Sequence, residues 1–138
     1  MIHEDRVPAR VLLVDDDLQY LALRAEVMKM SGFSVITAPG PIEAISIVAE
    51  TAGVIDVAVI DYQMPIMNGC LLADRLKAMR PEMKIILHSG ALAIPENEMT
   101  SVDLFVPKGD DISRLIARVS EGIRGTGAQD GLLGQRQN

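Results

Sequence analysis

The chain has 138 residues, 49% of them hydrophobic and 23% charged, with a formal net charge of −6. That length suits one domain large enough to bury a core of its own. The acidic balance and the lack of any Lys/Arg cluster argue against a nucleic-acid face, since Arg114, Arg118 and Arg124 are spread along one helical stretch.

Residues 1–9 read as a short N-terminal extension. They are charged and hold no apolar stretch of signal-peptide length. "RVLLV" (Arg10–Val14) is a short apolar run, as expected of a strand buried on both faces. From Leu18 to Ser31 the apolar residues Leu18, Leu21, Ala22, Ala25 and Met28 recur at helical spacing. Asp17 is the expected N-cap, and Gly32 the stop. "FSVIT" (Phe33–Thr37) is a second strand, followed by a helix over Pro41–Ala49 with proline in its first turn.

"DVAVI" (Asp56–Ile60) is the third strand. Asn68-Gly69 marks a turn before a helix over Cys70–Met79, which Pro81 ends. Cys70, the single cysteine, lies among Leu71, Leu72 and Ala73 and reads as core filling; one cysteine forms no internal disulfide, which fits a reducing compartment. "KIILH" (Lys84–His88) is the fourth strand, "DLFV" (Asp103–Val106) the fifth, and Asp110–Arg124 the last helix. "ALAIPENEMTS", between strands four and five, contains Pro95 and little periodicity, so a fourth helix there is expected to be short, tilted or replaced by a loop. Residues 125–138, rich in Gly and Gln, read as a flexible tail or a linker stub. No apolar run approaches the ~18 residues of a membrane span, and a cytoplasmic protein is expected.

Five strand segments alternating with helices predict an α/β fold, a doubly wound parallel sheet with helices on both faces. In such sheets ligands sit outside the carboxyl ends of the strands. Those ends carry Asp15, Asp16 and Asp17 on strand one, Asp61 on strand three, Ser89 on strand four and Lys108 on strand five. Adjacent carboxylates repel by roughly 4 kcal/mol per pair at about 4 Å and an effective dielectric near 20. A hard divalent cation relieves that repulsion, and an all-oxygen site suits Mg²⁺. One carboxylate can then attack phosphorus to give an aspartyl phosphate, with Lys108 and the metal on the phosphoryl oxygens and Ser89 donating to a third.

The acidic pair Asp15-Asp16, the block "DYQMPIMNG" from Asp61 to Gly69, Ser89-Gly90, and Phe105 three residues before Lys108 together resemble the receiver domains of two-component response regulators. The resemblance covers residues 10–124. It implies the flavodoxin-like strand order 2-1-3-4-5. It implies that Asp61 is the phosphoacceptor, and that Asp16, Asp61 and the backbone carbonyl of Gln63 bind Mg²⁺ directly, with Asp15 acting through water. Lys108 would hold a phosphoryl oxygen, and Ser89 and Phe105 would form the switch pair. The donor would be the phosphohistidine of a sensor histidine kinase or a histidine phosphotransfer protein. Such a module is a signalling switch that catalyses only its own phosphorylation and dephosphorylation. It would act through an output partner and form at most a weak homodimer. The Gln63 side chain, beside the attack path, would tune the lifetime of the aspartyl phosphate.

The chain departs from the family at Gly109, where proline is usual after the lysine, and in the short stretch from Ser89 to Lys108. A Lys-Gly bond is expected to be trans. Other readings compete. Asp17 is expected to cap the helix and stay out of the site. His88, with no second histidine near, reads as half-buried; His3 lies in the N-terminal extension, and Met64 and Met67 as loop packing. "VLLVDDDL" also resembles the start of a haloacid-dehalogenase-type phosphatase, with Asp15 as nucleophile and Asp17 as acid/base, although only Asp110-Asp111 could supply its later acidic motif. A receiver-like binding module that works without phosphorylation is the remaining alternative.

Overall fold

The computed structural model describes residues 7–91 and 93–136, the stretch 125–136 as backbone. The elements run β1 (Arg10–Val14), α1 (Leu18–Met30), β2 (Ser34–Ala38), α2 (Pro41–Glu50), β3 (Val57–Ile60), α3 (Gly69–Met79), β4 (Lys84–Ser89), β5 (Leu104–Pro107) and α4 (Ile112–Arg136). The sheet has the order β2-β1-β3-β4-β5, and every neighbouring pair is parallel. This is the expected flavodoxin-like arrangement.

Alternation along the strands splits the core into two layers. Leu12, Val14, Ala58, Ile60 and Ile85 face Ala44 and Val48 of α2 and Leu72, Ala73 and Leu76 of α3. Val11, Leu13, Val57, Val59 and Ile86 face Leu21, Ala25 and Met28 of α1 and Leu115 and Val119 of α4. With both faces covered, the central strands β1 and β3 are nearly continuous apolar runs, and aspartates follow directly where they end.

Local chemistry sets the element ends. Asp17 caps α1 as expected, its side chain accepting from the Tyr20 N–H at 3.2 Å. Asn68 caps α3, accepting from the N–H groups of Cys70 and Leu71. Gly32 follows α1 at φ +99°, where only glycine sits without strain. The Phe33 N–H bonds back to the Met28 carbonyl, so β2 starts at Ser34, one residue later than expected.

The stretch between β4 and β5 contains one 3-10 turn, Glu96–Glu98, among the described residues. Among the described residues the fourth helix of the expected pattern is replaced, the last of the three outcomes that Pro95 and the missing periodicity left open. Side chains tie the connection down: Tyr62 donates to Glu98 at 2.9 Å, and Asp103 accepts from Lys77 Nζ at 2.9 Å and from the Ile85 N–H at 2.8 Å. The last helix corrects its expected end. It continues past Arg124 to Arg136, through four glycines that each cost about 1 kcal/mol relative to alanine. Each added residue still gains one helical hydrogen bond. Among the described residues no helix is long and apolar enough to cross a membrane.

Candidate functional site

The sheet brings the ends of β1, β3 and β5 to one edge. Asp61 follows β3, its N–H bonded to the Val14 carbonyl at 3.0 Å, which sets it beside Asp15. One carboxylate oxygen from each of Asp15, Asp16 and Asp61 lies within 4.8 Å of the others. Asp16 is exposed, whereas Asp15 and Asp61 are buried.

Asp15 is saturated. Its Oδ1 accepts from the Asp17 N–H at 2.9 Å. Its Oδ2 receives Lys108 Nζ and Arg24 Nη2, each at 2.9 Å. Lys108 also reaches Asp61 Oδ1 at 3.6 Å, and its own N–H bonds to the Ser89 carbonyl at 2.9 Å, fixing the β5 end against β4. Burial is the main reason that the Asp61 carboxyl titrates above the ordinary carboxylate range. Lys108 and the backbone N–H of Gln63 oppose that shift, and the Asp15 charge adds to it.

The Asp61 loop returns tightly. The Gly69 N–H bonds to the Tyr62 carbonyl at 2.8 Å. A Cβ at Gly69 would collide with the Asp61 carbonyl oxygen and approach the Tyr62 Cα to 2.9 Å. Glycine is therefore required by close approach, not by backbone torsion. Between them Ile66 holds φ +76°, a region that β-branched residues avoid.

Ser89 is buried, and its Oγ accepts from the Ala91 N–H at 3.1 Å. Phe105 points outward beside a shallow hollow of about 200 Å³ that Ala91, Ile94 and Met99 also line. Gln63 is exposed next to Asp61. Cys70 is buried core, its thiol pushed up to about 11 by burial, and is inert at neutral pH. Among the described residues no peptide bond is cis, the Lys108–Gly109 bond included.

Sequence reasoning missed two residues and under-buried a third. Arg24 lies on the inner face of α1, 2% exposed. Its position was legible, three residues after Leu21 and four before Met28, but its charge hid it from an apolar count. Tyr20, one turn earlier, carries the Arg24 guanidinium at 4.3 Å and Lys108 Nζ at 4.7 Å from its ring centroid. His88, read as half-buried, is fully enclosed because Tyr20 stacks on it. Its Nδ1 faces the Val106 carbonyl at 3.0 Å. A carbonyl only accepts, so Nδ1 carries the proton and Nε2 accepts from Tyr20 Oη at 3.3 Å. Burial holds the ring neutral, its pKa lowered to about 4. With Asp15 held by two cations and Asp17 engaged in the cap, the phosphatase-like reading is disfavoured.

A family model for the response regulator receiver domain matches residues 11–120. The chain is 31% identical over 122 residues to the transcriptional regulatory protein PrrA of Mycobacterium leprae, covering 86% of this chain and 52% of that one. It therefore spans about half the length of that curated relative. A CheY-like receiver domain protein from Methanospirillum hungatei superposes with a TM-score of 0.82 at 21% identity, over 89% of this chain and 99% of that one. The response regulator TrrA of Thermotoga maritima, solved in complex with Mg²⁺-BeF, superposes at 0.76 with 24% identity, over 83% and 98% of the two chains. On this evidence the chain belongs to the receiver domains of two-component response regulators, and its acidic pocket fits their phosphoacceptor site.

Proposed function

We propose that this receiver, residues 10–124, takes a phosphoryl group onto Asp61 from the phosphohistidine of a sensor kinase or phosphotransfer protein in the cytoplasm. The carrying observation is the placement of Asp61: a desolvated carboxylate at the β3 end, 3.6 Å from Lys108 and inside a cluster of three aspartates. Its carboxylate oxygen attacks phosphorus as the P–N bond breaks, and the histidine ring nitrogen leaves with the electron pair. Lys108, between Asp15 and Asp61, can meet a phosphoryl oxygen with little movement. The complete acidic set disfavours a module that works without phosphorylation.

The donor set fits Mg²⁺: every side-chain donor is a carboxylate oxygen, and exposed Asp16 leaves room for retained waters. Asp16, Asp61 and the Gln63 carbonyl would hold the ion directly and Asp15 through water. When bound, the ion supplies positive charge at the phosphoryl oxygens. That TrrA was solved with Mg²⁺-BeF supports this reading. Ser89 and Phe105 would be the switch pair: the hydroxyl turns from Ala91 toward the phosphoryl group, and the ring follows into the hollow beside it. Gln63 would tune phosphoryl lifetime. Output would pass to a partner or to a further segment beyond residue 124.

The test is mass spectrometry after incubation with acetyl phosphate, with and without Mg²⁺, on wild type and Asp61→Asn. A Mg²⁺-dependent gain of one phosphoryl group, lost in Asp61→Asn, is the expected result. A gain that survives Asp61→Asn and vanishes in Asp15→Asn would move the acceptor to Asp15.

A further inference from the structure

We propose that Arg24 is a built-in counter-cation that competes with the divalent ion for the acidic pocket, so that Mg²⁺ binds more weakly than the three carboxylates alone would hold it. The inference rests on the Mg²⁺ reading above.

Arg24 is buried on the apolar face of α1, with Nη2 2.9 Å from Asp15 Oδ2. It shares that oxygen with Lys108, and both cations rest on the Tyr20 ring. Its Nε is buried and has no hydrogen-bond partner among the described residues. Burying a guanidinium this way is costly unless it is matched by an opposite charge. Asp15 supplies that charge, so the side chain is held by the pocket's own acid.

The charge count shows the effect. Asp15, Asp16 and Asp61 total −3, and Lys108 with Arg24 total +2, leaving −1. Without Arg24 the balance is −2. A divalent ion entering the pocket meets half the net negative charge that it would otherwise find. Asp15 is also engaged at both oxygens, with both cations on Oδ2, so a metal-bound water must share this carboxylate with them. Coupling between two such ligands of one site is reciprocal: whatever Arg24 costs Mg²⁺, Mg²⁺ costs the Arg24–Asp15 pair.

The experiment is calorimetric titration of Mg²⁺ into the full chain, stripped of metal, for wild type, Arg24→Leu and Arg24→Lys. Arg24→Leu removes the charge and suits the apolar face. It should bind Mg²⁺ roughly 5- to 150-fold more tightly, the range of ordinary site coupling. Arg24→Lys keeps the charge and should stay close to wild type, which a merely structural role does not require. Equal or weaker binding by Arg24→Leu overturns the competition alone. Absence of Mg²⁺ binding in all three proteins overturns the metal reading itself, and the proposal with it. If Arg24→Leu is poorly folded without metal, its Tm must climb more steeply with Mg²⁺ than that of wild type. A rise no steeper overturns the proposal equally.

Discussion

Lys108 rests on Asp15: its Nζ is 2.9 Å from Asp15 Oδ2 and 3.6 Å from the nearer oxygen of Asp61. The ammonium is thus parked beside the acceptor, free to turn to an incoming phosphoryl oxygen while Asp15 keeps Arg24. Replacing it tests both roles. Lys108→Met should slow phosphorylation by acetyl phosphate about 10²-fold, as loss of one oxyanion donor does. It should also push the Asp61 pKa further up, because Lys108 opposes the burial that raises it. Carboxyl ¹³C chemical shifts followed against pH read the second effect. An unchanged rate would show that Lys108 serves Asp15 only.

The Asp15–Arg24 pair is buried on both sides. Removing one partner of such a pair typically costs about 3–5 kcal/mol, mostly from the stranded charge. Asp15→Asn should therefore lower urea-unfolding stability by about 3 kcal/mol. The double variant Asp15→Asn/Arg24→Leu should recover much of the loss. Additive losses in the double variant would mean that the two residues do not act as a pair.

His88 makes stability depend on pH. Its folded pKa, about 4, lies below the ordinary 6.5, so the unfolded chain takes up the proton first as pH falls. Stability should drop between about pH 6.5 and pH 4, by up to about 3 kcal/mol at 1.36 kcal/mol per unit. Arg24 and Lys108 reinforce burial in holding the ring neutral, while Val106 and Asp15 oppose it. Asp61, whose folded pKa is raised, is relieved by protonation and works against the trend. It does so equally in His88→Gln, so the comparison isolates the histidine. With EDTA present, His88→Gln should show a flatter stability profile across this window, and an identical slope would refute the assignment.

The site was legible as far as topology carries it. A parallel sheet delivers every strand's carboxyl end to one edge, so Asp15, Asp61, Ser89 and Lys108 could be placed from their positions after apolar runs. Asp17 was legible as a cap because N-cap chemistry is local. Arg24 and Tyr20 were not, because their roles depend on a contact between α1 and the strand ends that a periodicity count does not weigh. The preference of Lys108 for Asp15 over Asp61 is a matter of side-chain reach, which strand order does not set. The replaced fourth helix was legible because Pro95 is a local breaker. The continuation of α4 past Arg124 ran against the local glycine signal.

The Asp61 loop offers two substitutions with opposite expected signs. At Gly69 a Cβ would meet the Asp61 carbonyl oxygen and the Tyr62 Cα, both backbone atoms that cannot turn aside. Gly69→Ala should cost about 1–3 kcal/mol, as overpacking does, and should slow phosphorylation by displacing Asp61. At Ile66 the strain is in the backbone, φ +76°, and the side chain is 81% exposed, so no buried contact is lost on replacing it. Asparagine tolerates the left-handed region, where other residues pay roughly 1–2 kcal/mol. Ile66→Asn should therefore raise stability by about 1 kcal/mol and leave the phosphorylation rate unchanged. Thermal unfolding and acetyl-phosphate rates on both variants decide the matter. A gain in stability accompanied by a slower rate would mean that the strain at Ile66 helps to position Asp61, and that the loop stores it for function.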